Sequence, residues 1–107
     1  MKDTTALLQD ILHAITSIES YDIQSYDAFL EDEKTQAAIM FNLITMGEAA
    51  NRISPEFQEM HPEIPWSSII GTRNVIVHGY DQIKMQIVWD IIQKNLTQLK
   101  AMLLDLV

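Results

Sequence analysis

Cysteine is absent from this 107-residue chain, which excludes disulfide bonds, thiolate nucleophiles and any zinc site that needs a cysteine ligand. Glycine and proline are rare, with 3 of each, so few residues interrupt a helix. Hydrophobic residues make up 48% of the chain, well above the composition of disordered segments. We therefore expect the chain to fold.

Basic residues are also scarce. The chain has 7 Lys and Arg against 15 Asp and Glu, which gives a formal net charge of -8. This balance argues against general nucleic-acid binding, because phosphate contacts require Lys and Arg. A single well-placed arginine can still serve one phosphate while an acidic surface suppresses indiscriminate binding. An acidic surface also suits a more basic protein partner.

Long apolar runs are missing as well. No uninterrupted run approaches the length of a membrane span, and the stretch from Met1 to Thr5 has no apolar segment of the signal-peptide kind. We therefore expect a cytoplasmic protein. A chain of this length can build one hydrophobic core but not two, so we expect a single domain over residues 1–107.

Apolar residues recur at helical spacing along the chain, and no strand pattern competes with them. Among the positions that this spacing assigns to the core are Val77 and Ile87. The fold predicted is all-α, a compact antiparallel bundle of four to five helices. The predicted helical segments span roughly residues 3–20, 26–30, 32–53, 54–61, 64–79 and 81–107.

Helix boundaries are marked by residues that favour caps. Asp32 and Ser54 precede apolar periodic segments and are expected to cap the helices that follow them. Gly79 stands where a left-handed residue commonly ends a helix, and Asp81 is placed to cap the last helix.

The helix predicted over residues 32–53 carries two apolar rows, although one would suffice for a surface helix. Such a helix is central to a small bundle, or it lends one face to a partner subunit, and we expect both. The first row contains Ala37, Phe41 and Ile44, and the second contains Ile39, Leu43, Met46, Ala50 and Ile53.

Arg73 and His78 place two side chains with catalytic capability in an otherwise apolar helical segment. A guanidinium can bind a phosphate and an imidazole can move protons near neutral pH, and metal-free phosphodiester cleavage needs both. The alternative is a surface arginine and a helix-end histidine that compensate nearby acids. The spacing of the pair is too common to decide between these two interpretations.

Helix geometry separates the two side chains by about 140°. Asn74 lies four residues before His78 and is predicted to orient its ring, while the longer Arg73 reaches toward the same opening. One helix supplies only half of a site, so we expect a two-fold homodimer in which both chains contribute groups to each phosphate.

Polar residues also gather near the end of the long second helix. Glu48, Asn51 and Arg52 either form a solvated helix end or supply Glu48 as a supporting acid that contacts Arg73. No metal site is expected, because no two histidines of the chain are four residues apart.

A composite motif is more specific than the Arg-His pair. Ile64-Pro65-Trp66 precedes Arg73-Asn74, His78 and Tyr80, and Met46-Gly47-Glu48-Ala49-Ala50 lies upstream. These residues at these spacings resemble the HepT-like family of the HEPN superfamily, and the resemblance covers nearly the whole chain.

The resemblance implies a helical homodimer that acts as the toxin of a prokaryotic toxin-antitoxin pair. The implied activity is metal-independent endoribonuclease cleavage with Arg73 and His78 as catalytic residues and no cofactor. Asn74 is implied as the polar member of the same motif. The implied partner is an MntA-like nucleotidyltransferase antitoxin, which transfers AMP from ATP to the motif tyrosine, here Tyr80.

A second interpretation stays open. Relatives in the superfamily include non-catalytic helical modules that dock a nucleotidyltransferase and help it bind nucleotide or substrate. A third is a dimeric interaction protein that has lost the use of the motif. Cleavage of RNA by the purified chain separates the first interpretation from these two.

Overall fold

The computed structural model describes residues 3–107. Met1 and Lys2, which belong to the segment tested above for a signal peptide, lie outside the described residues. All regular structure within this part is helical, which confirms the all-α prediction. The elements are α1 (Thr4–Glu19), α2 (Tyr26–Leu30), α3 (Glu33–Arg52), α4 (Pro55–Met60), α5 (Trp66–Gly79), a 3-10 turn (Tyr80–Gln82), α6 (Met85–Asp90), a π-helical turn (Ile91–Asn95) and α7 (Leu96–Leu104).

Side-chain caps begin the first four helices, and the expected caps at Asp32 and Ser54 are confirmed. Each cap accepts a backbone N–H from the first turn, which satisfies a donor that the helix itself leaves unpaired. The pairs are Asp3 with Ala6, Ser25 with Ala28, Asp32 with Thr35, and Ser54 with Phe57.

The start of α5 is fixed in another way. Its first helical residue follows Pro65, and no side chain caps it. Instead the Trp66 amide donates to the Ile64 carbonyl at 2.8 Å, and the Trp66 indole donates to the His61 carbonyl at 3.0 Å. These two bonds tie the start of α5 to the segment that follows α4.

Helix α3 is central, because it packs against both α1 and α5. Its second apolar row is buried. Its other row is only partly covered: Ala37 is exposed, Phe41 is 68% exposed, and Ile44 is half-buried against the core. One face of this central helix therefore remains open to solvent.

The connection after α5 differs from the prediction. Gly79 has φ -145° and is not left-handed, and the chain continues through Tyr80 in right-handed helical geometry into the 3-10 turn. Asp81 lies inside that turn and does not cap the last helix, which begins at Met85 without a side-chain cap. Because α5 continues directly into a 3-10 turn, which also has right-handed backbone geometry, no left-handed residue is needed at Gly79.

The last helix is interrupted, although its periodicity predicted a continuous one. The π-helical turn separates α6 from α7 and shifts the residues that face the core. Ile87, predicted to be buried, is 52% exposed, and Val88 is buried instead.

Within residues 3–107, none of the helices combines the length and the apolar character that a membrane crossing requires.

Candidate functional site

Arg73 lies in the middle of α5, as predicted, and its side chain enters the contact between α5 and α3. The Cβ and Cγ atoms of Arg73 lie over Gly47 of α3, a residue that has no side chain to obstruct them. The Arg73 side chain is only 30% exposed. Its aliphatic part is therefore packed in the protein while its charged end reaches the surface.

Two polar side chains meet the Arg73 guanidinium. Nη1 donates a hydrogen bond to Oδ1 of Asn74 at 2.9 Å. Nη2 lies 3.7 Å from Oε1 of Glu48, so the contact expected between these residues is present. The Nε atom is buried and has no hydrogen-bond partner among the described residues. The guanidinium is thus held at its outer end by partners and at its inner end by packing.

A cavity of about 320 Å³ opens beside this guanidinium. The chain contains two arginines in all, Arg52 and Arg73, and both line this cavity. Two guanidinium groups and two side-chain amides make the cavity suitable for an anion of phosphate size, although one carboxylate opposes this charge. The complete lining is Glu48, Asn51, Arg52, Ile70, Arg73 and Asn74.

His78 lies on the last turn of α5 and is exposed. The predicted pairing with Asn74 is wrong, because Asn74 Oδ1 is engaged by Arg73. The His78 side chain forms no hydrogen bond or ion pair with any residue that the structure describes, and it does not line the cavity beside Arg73. One chain alone therefore does not bring the guanidinium and the imidazole into one enclosed site.

Exposed apolar side chains surround His78 in the sequence. Val75 is 56% exposed, and Val77, which was predicted to be buried, is 44% exposed. Tyr80 begins the 3-10 turn and is 57% exposed. Exposed apolar side chains therefore accompany the imidazole at this end of α5.

Sequence reasoning treated Arg52 and Asn51 as helix-end polarity and missed their place in the cavity. A signal was available, since Arg52 follows Glu48 by four residues and so shares its helix face. Gly47 belongs to the composite motif, but its contact with Arg73 could not be predicted from the sequence, because that contact depends on which helix packs against α3.

The other histidines lie elsewhere. His13 is exposed on α1, and His61 ends α4, where its ring packs 4.5 Å from the ring of Phe57 and its Nδ1 lies 3.5 Å from Glu63. No group of three or more His, Asp or Glu side chains between residues 3 and 107 is arranged to hold a metal ion.

Comparisons with known proteins identify the family of this chain. Residues 11–106 match the family model described as "Ribonuclease HepT-like". The chain is 34% identical over 95 residues to a Thermococcus cleftensis protein named "Probable ribonuclease HepT", covering 88% of this chain and 86% of that one. No solved structure gives a significant match.

Two proteins of Methanocaldococcus jannaschii, both provisionally named as RNases, are also similar. One is 35% identical over 92 residues, covering 85% of this chain and 76% of its own length. The other is 30% identical over 101 residues, covering 92% of each chain. With the family model matching almost the whole described chain, this protein belongs to the HepT-like ribonuclease family.

Proposed function

We propose that this chain is the toxin of a prokaryotic toxin-antitoxin pair and that it cleaves RNA without a metal ion, using Arg73 and His78. The observation that carries the proposal is the Arg73 guanidinium, held by Asn74 and Glu48 beside a polar cavity, in a chain of the HepT-like ribonuclease family. The names of the similar proteins support the substrate class.

The proposed chemistry is internal attack by the ribose 2′-oxygen on the neighbouring phosphorus. His78 takes the proton of the 2′-hydroxyl or gives a proton to the departing 5′-oxygen, and water makes the other of these two transfers. Arg73 stabilises the negative charge that builds up on the pentavalent phosphorane. The bond to the 5′-oxygen breaks, which leaves a cyclic phosphate on one fragment and a 5′-hydroxyl on the other.

The proposed site is a composite of two chains. Within one chain, Arg73 lines the cavity beside α3 whereas His78 is exposed at the end of α5 and outside its lining. A two-fold dimer that covers Val75 and Val77 brings His78 of each chain toward its partner. The exposure of these two valines supports such an interface.

The proposed control is modification of Tyr80 by a nucleotidyltransferase antitoxin. The phenol oxygen attacks the α-phosphorus of ATP, pyrophosphate leaves, and the phenol proton passes to solvent. Tyr80 is 57% exposed, which supports access to its hydroxyl group. The attached AMP adds negative charge and bulk close to His78 in sequence, so we expect it to exclude RNA.

The purified wild-type chain should cleave single-stranded RNA in the presence of EDTA. The variants Arg73→Ala and His78→Ala should each lose this activity while circular dichroism and the oligomeric state remain those of the wild type. Cleavage by both variants contradicts the assignment. A wild type that cleaves no RNA but binds a nucleotidyltransferase and tightens its ATP binding is the non-catalytic module instead.

Modification has its own test. After incubation with the partner transferase and ATP, mass spectrometry should locate AMP on Tyr80, and Tyr80→Phe should prevent the addition. Tyr21, which is 39% exposed, provides the comparison. AMP found on Tyr21, or on the Tyr80→Phe variant, contradicts this part of the proposal.

A further inference from the structure

We infer that Gly47 is a positioning residue for Arg73, because the absence of a side chain at this point of α3 sets where the guanidinium lies. The inference rests on the proposed function of Arg73 and deepens it. It concerns a residue that touches no substrate and acts only through the arginine.

The contact between the two residues is very close. A Cβ atom built on Gly47 would lie 2.1 Å from Cβ and 2.9 Å from Cγ of Arg73, and 3.1 Å from the Ile69 carbonyl oxygen. The Cβ atom of Arg73 is fixed by the α5 backbone and cannot rotate away. A methyl group at position 47 must therefore push α5 away from α3 or force both helices to shift.

The rest of the arginine depends on this contact. Its Cγ packs over Gly47, and its Nε is buried without a partner among the described residues. Packing rather than hydrogen bonding therefore fixes the inner half of the side chain. Glu48, the residue next to Gly47, approaches the outer end at 3.7 Å. One turn of α3 thus supplies both the space for the side chain and a carboxylate beside its charge.

The remaining two glycines provide matched controls. A Cβ built on Gly71 or on Gly79 would meet nothing within 4 Å. Gly71 lies inside α5, two residues before Arg73, so Gly71→Ala adds a methyl group to the same helix without pushing on α3. Because alanine favours helix more than glycine does, this variant should also raise the thermal stability of the protein.

The first measurement is RNA cleavage in EDTA by the full-length chain. Gly47→Ala should lower kcat/KM by about 10²-fold, the order expected when a catalytic group is displaced by about 1 Å. Gly71→Ala should cleave at the wild-type rate. The double variant Gly47→Ala/Gly71→Ala should regain about 1 kcal/mol of the lost stability and still cleave slowly. Return of cleavage together with stability would show that Gly47 serves only to maintain the fold, and would overturn the inference.

A second measurement does not depend on cleavage. Since the chain has two arginines, a proton–nitrogen correlation NMR spectrum should show two arginine Nε–H signals. The signal that remains in the variant Arg52→Lys belongs to Arg73. The Arg73 Nε–H should exchange slowly with water in the wild type and in Gly71→Ala, and rapidly in Gly47→Ala. Slow exchange in all three overturns the inference. If the wild type cleaves no RNA and slow exchange is still lost only in Gly47→Ala, then the positioning role of Gly47 is upheld and only the proposed function is contradicted.

A third comparison applies if Gly47→Ala folds but is too unstable for the assays of cleavage and exchange. Replacing Arg73 by glycine removes the Cβ that the new methyl group meets. The loss of melting temperature caused by Gly47→Ala should therefore be smaller in the Arg73→Gly background than in the wild type. Equal losses in both backgrounds would mean that the methyl group disturbs something other than Arg73, which contradicts the inference.

Discussion

At the scale of single residues, the position of Arg73 is set by its neighbours. One of these neighbours, Glu48, is expected to contribute little to the free energy of unfolding and more to the electrostatics of the cavity. The ion pair with Glu48 joins side chains that are 30% and 49% exposed. Partly exposed pairs of this kind contribute about 0–1 kcal/mol to folding. The stronger effect of Glu48 is expected on the anion that approaches Arg73.

Replacing Glu48 by glutamine removes a negative charge from the cavity and keeps the shape of the side chain. We expect KM for RNA to fall, because the phosphate meets less repulsion, and kcat to fall as well, because the guanidinium loses one of its two partners. The melting temperature should change little, in line with about 0–1 kcal/mol. Steady-state kinetics of RNA cleavage check this prediction. Glu56→Gln on α4 is the control and should leave KM unchanged. A rise in KM for Glu48→Gln contradicts the account.

Arg52 is the second arginine of the cavity and is exposed at the end of α3. We expect it to contact a phosphate next to the one that is cleaved. Arg52→Gln should weaken binding of a 2′-O-methyl RNA, which cannot be cleaved, and should reduce the dependence of log Kd on log salt by about 0.7. The rate at saturating RNA should stay near that of the wild type. Lys34→Gln, at the other end of α3, should leave the salt dependence unchanged, and an unchanged slope in Arg52→Gln contradicts this role.

At the scale of elements, α3 is fixed at its start by Asp32. Hydrogen bonds from the Thr35 hydroxyl at 2.6 Å and then from the Thr35 amide at 3.1 Å lower the pKa of this carboxyl. A lowered pKa in the folded state means that the charged form contributes stability above the pKa of the unfolded chain. That contribution is lost as pH falls through the folded pKa.

The variant Asp32→Asn should therefore melt at a lower temperature than the wild type at neutral pH. The difference should shrink as the pH is lowered and should vanish once the wild-type carboxyl is protonated in the folded state. Thermal unfolding followed by circular dichroism from about pH 7 to about pH 2 checks this. A difference that stays constant across the series shows that the charge of Asp32 does not stabilise the helix.

The helices could be predicted from the sequence because their signals are local. Asp32 and Ser54 act on the first turn that follows them, and apolar spacing reports one face of one helix. The errors lie where distant contacts decide the outcome. The π-helical turn exposes Ile87, and the 3-10 turn after Gly79 removes the need for a left-handed cap.

The site was predictable in part for the same reason. Arg73 and His78 stand out as polar residues in an apolar segment, and Glu48 is recognisable as an acid one helical turn from Arg52. Which groups meet Arg73 depends on how α5 packs on α3, which no local pattern reports. The pairing of Asn74 with Arg73 rather than with His78, and the contact with Gly47, therefore appear only in the structure.

At the scale of the whole molecule, an acidic chain with a net charge of -8 keeps its two arginines together at one cavity. Its negative surface disfavours RNA in general, so we expect binding to depend on this cavity and on groups from a second chain. The open face of α3 at Phe41 and the exposed valines of α5 leave apolar surface for protein partners.

The composite site has a direct test in mixed dimers. Arg73→Ala and His78→Ala are each expected to be inactive, and a dimer with one subunit of each kind retains one Arg73 and one His78 on different chains. If the two chains share a site, mixing the two inactive proteins should restore RNA cleavage in EDTA once native mass spectrometry shows that mixed dimers have formed. Mixed dimers that form and cleave no RNA, beside an active wild type, would contradict the shared site.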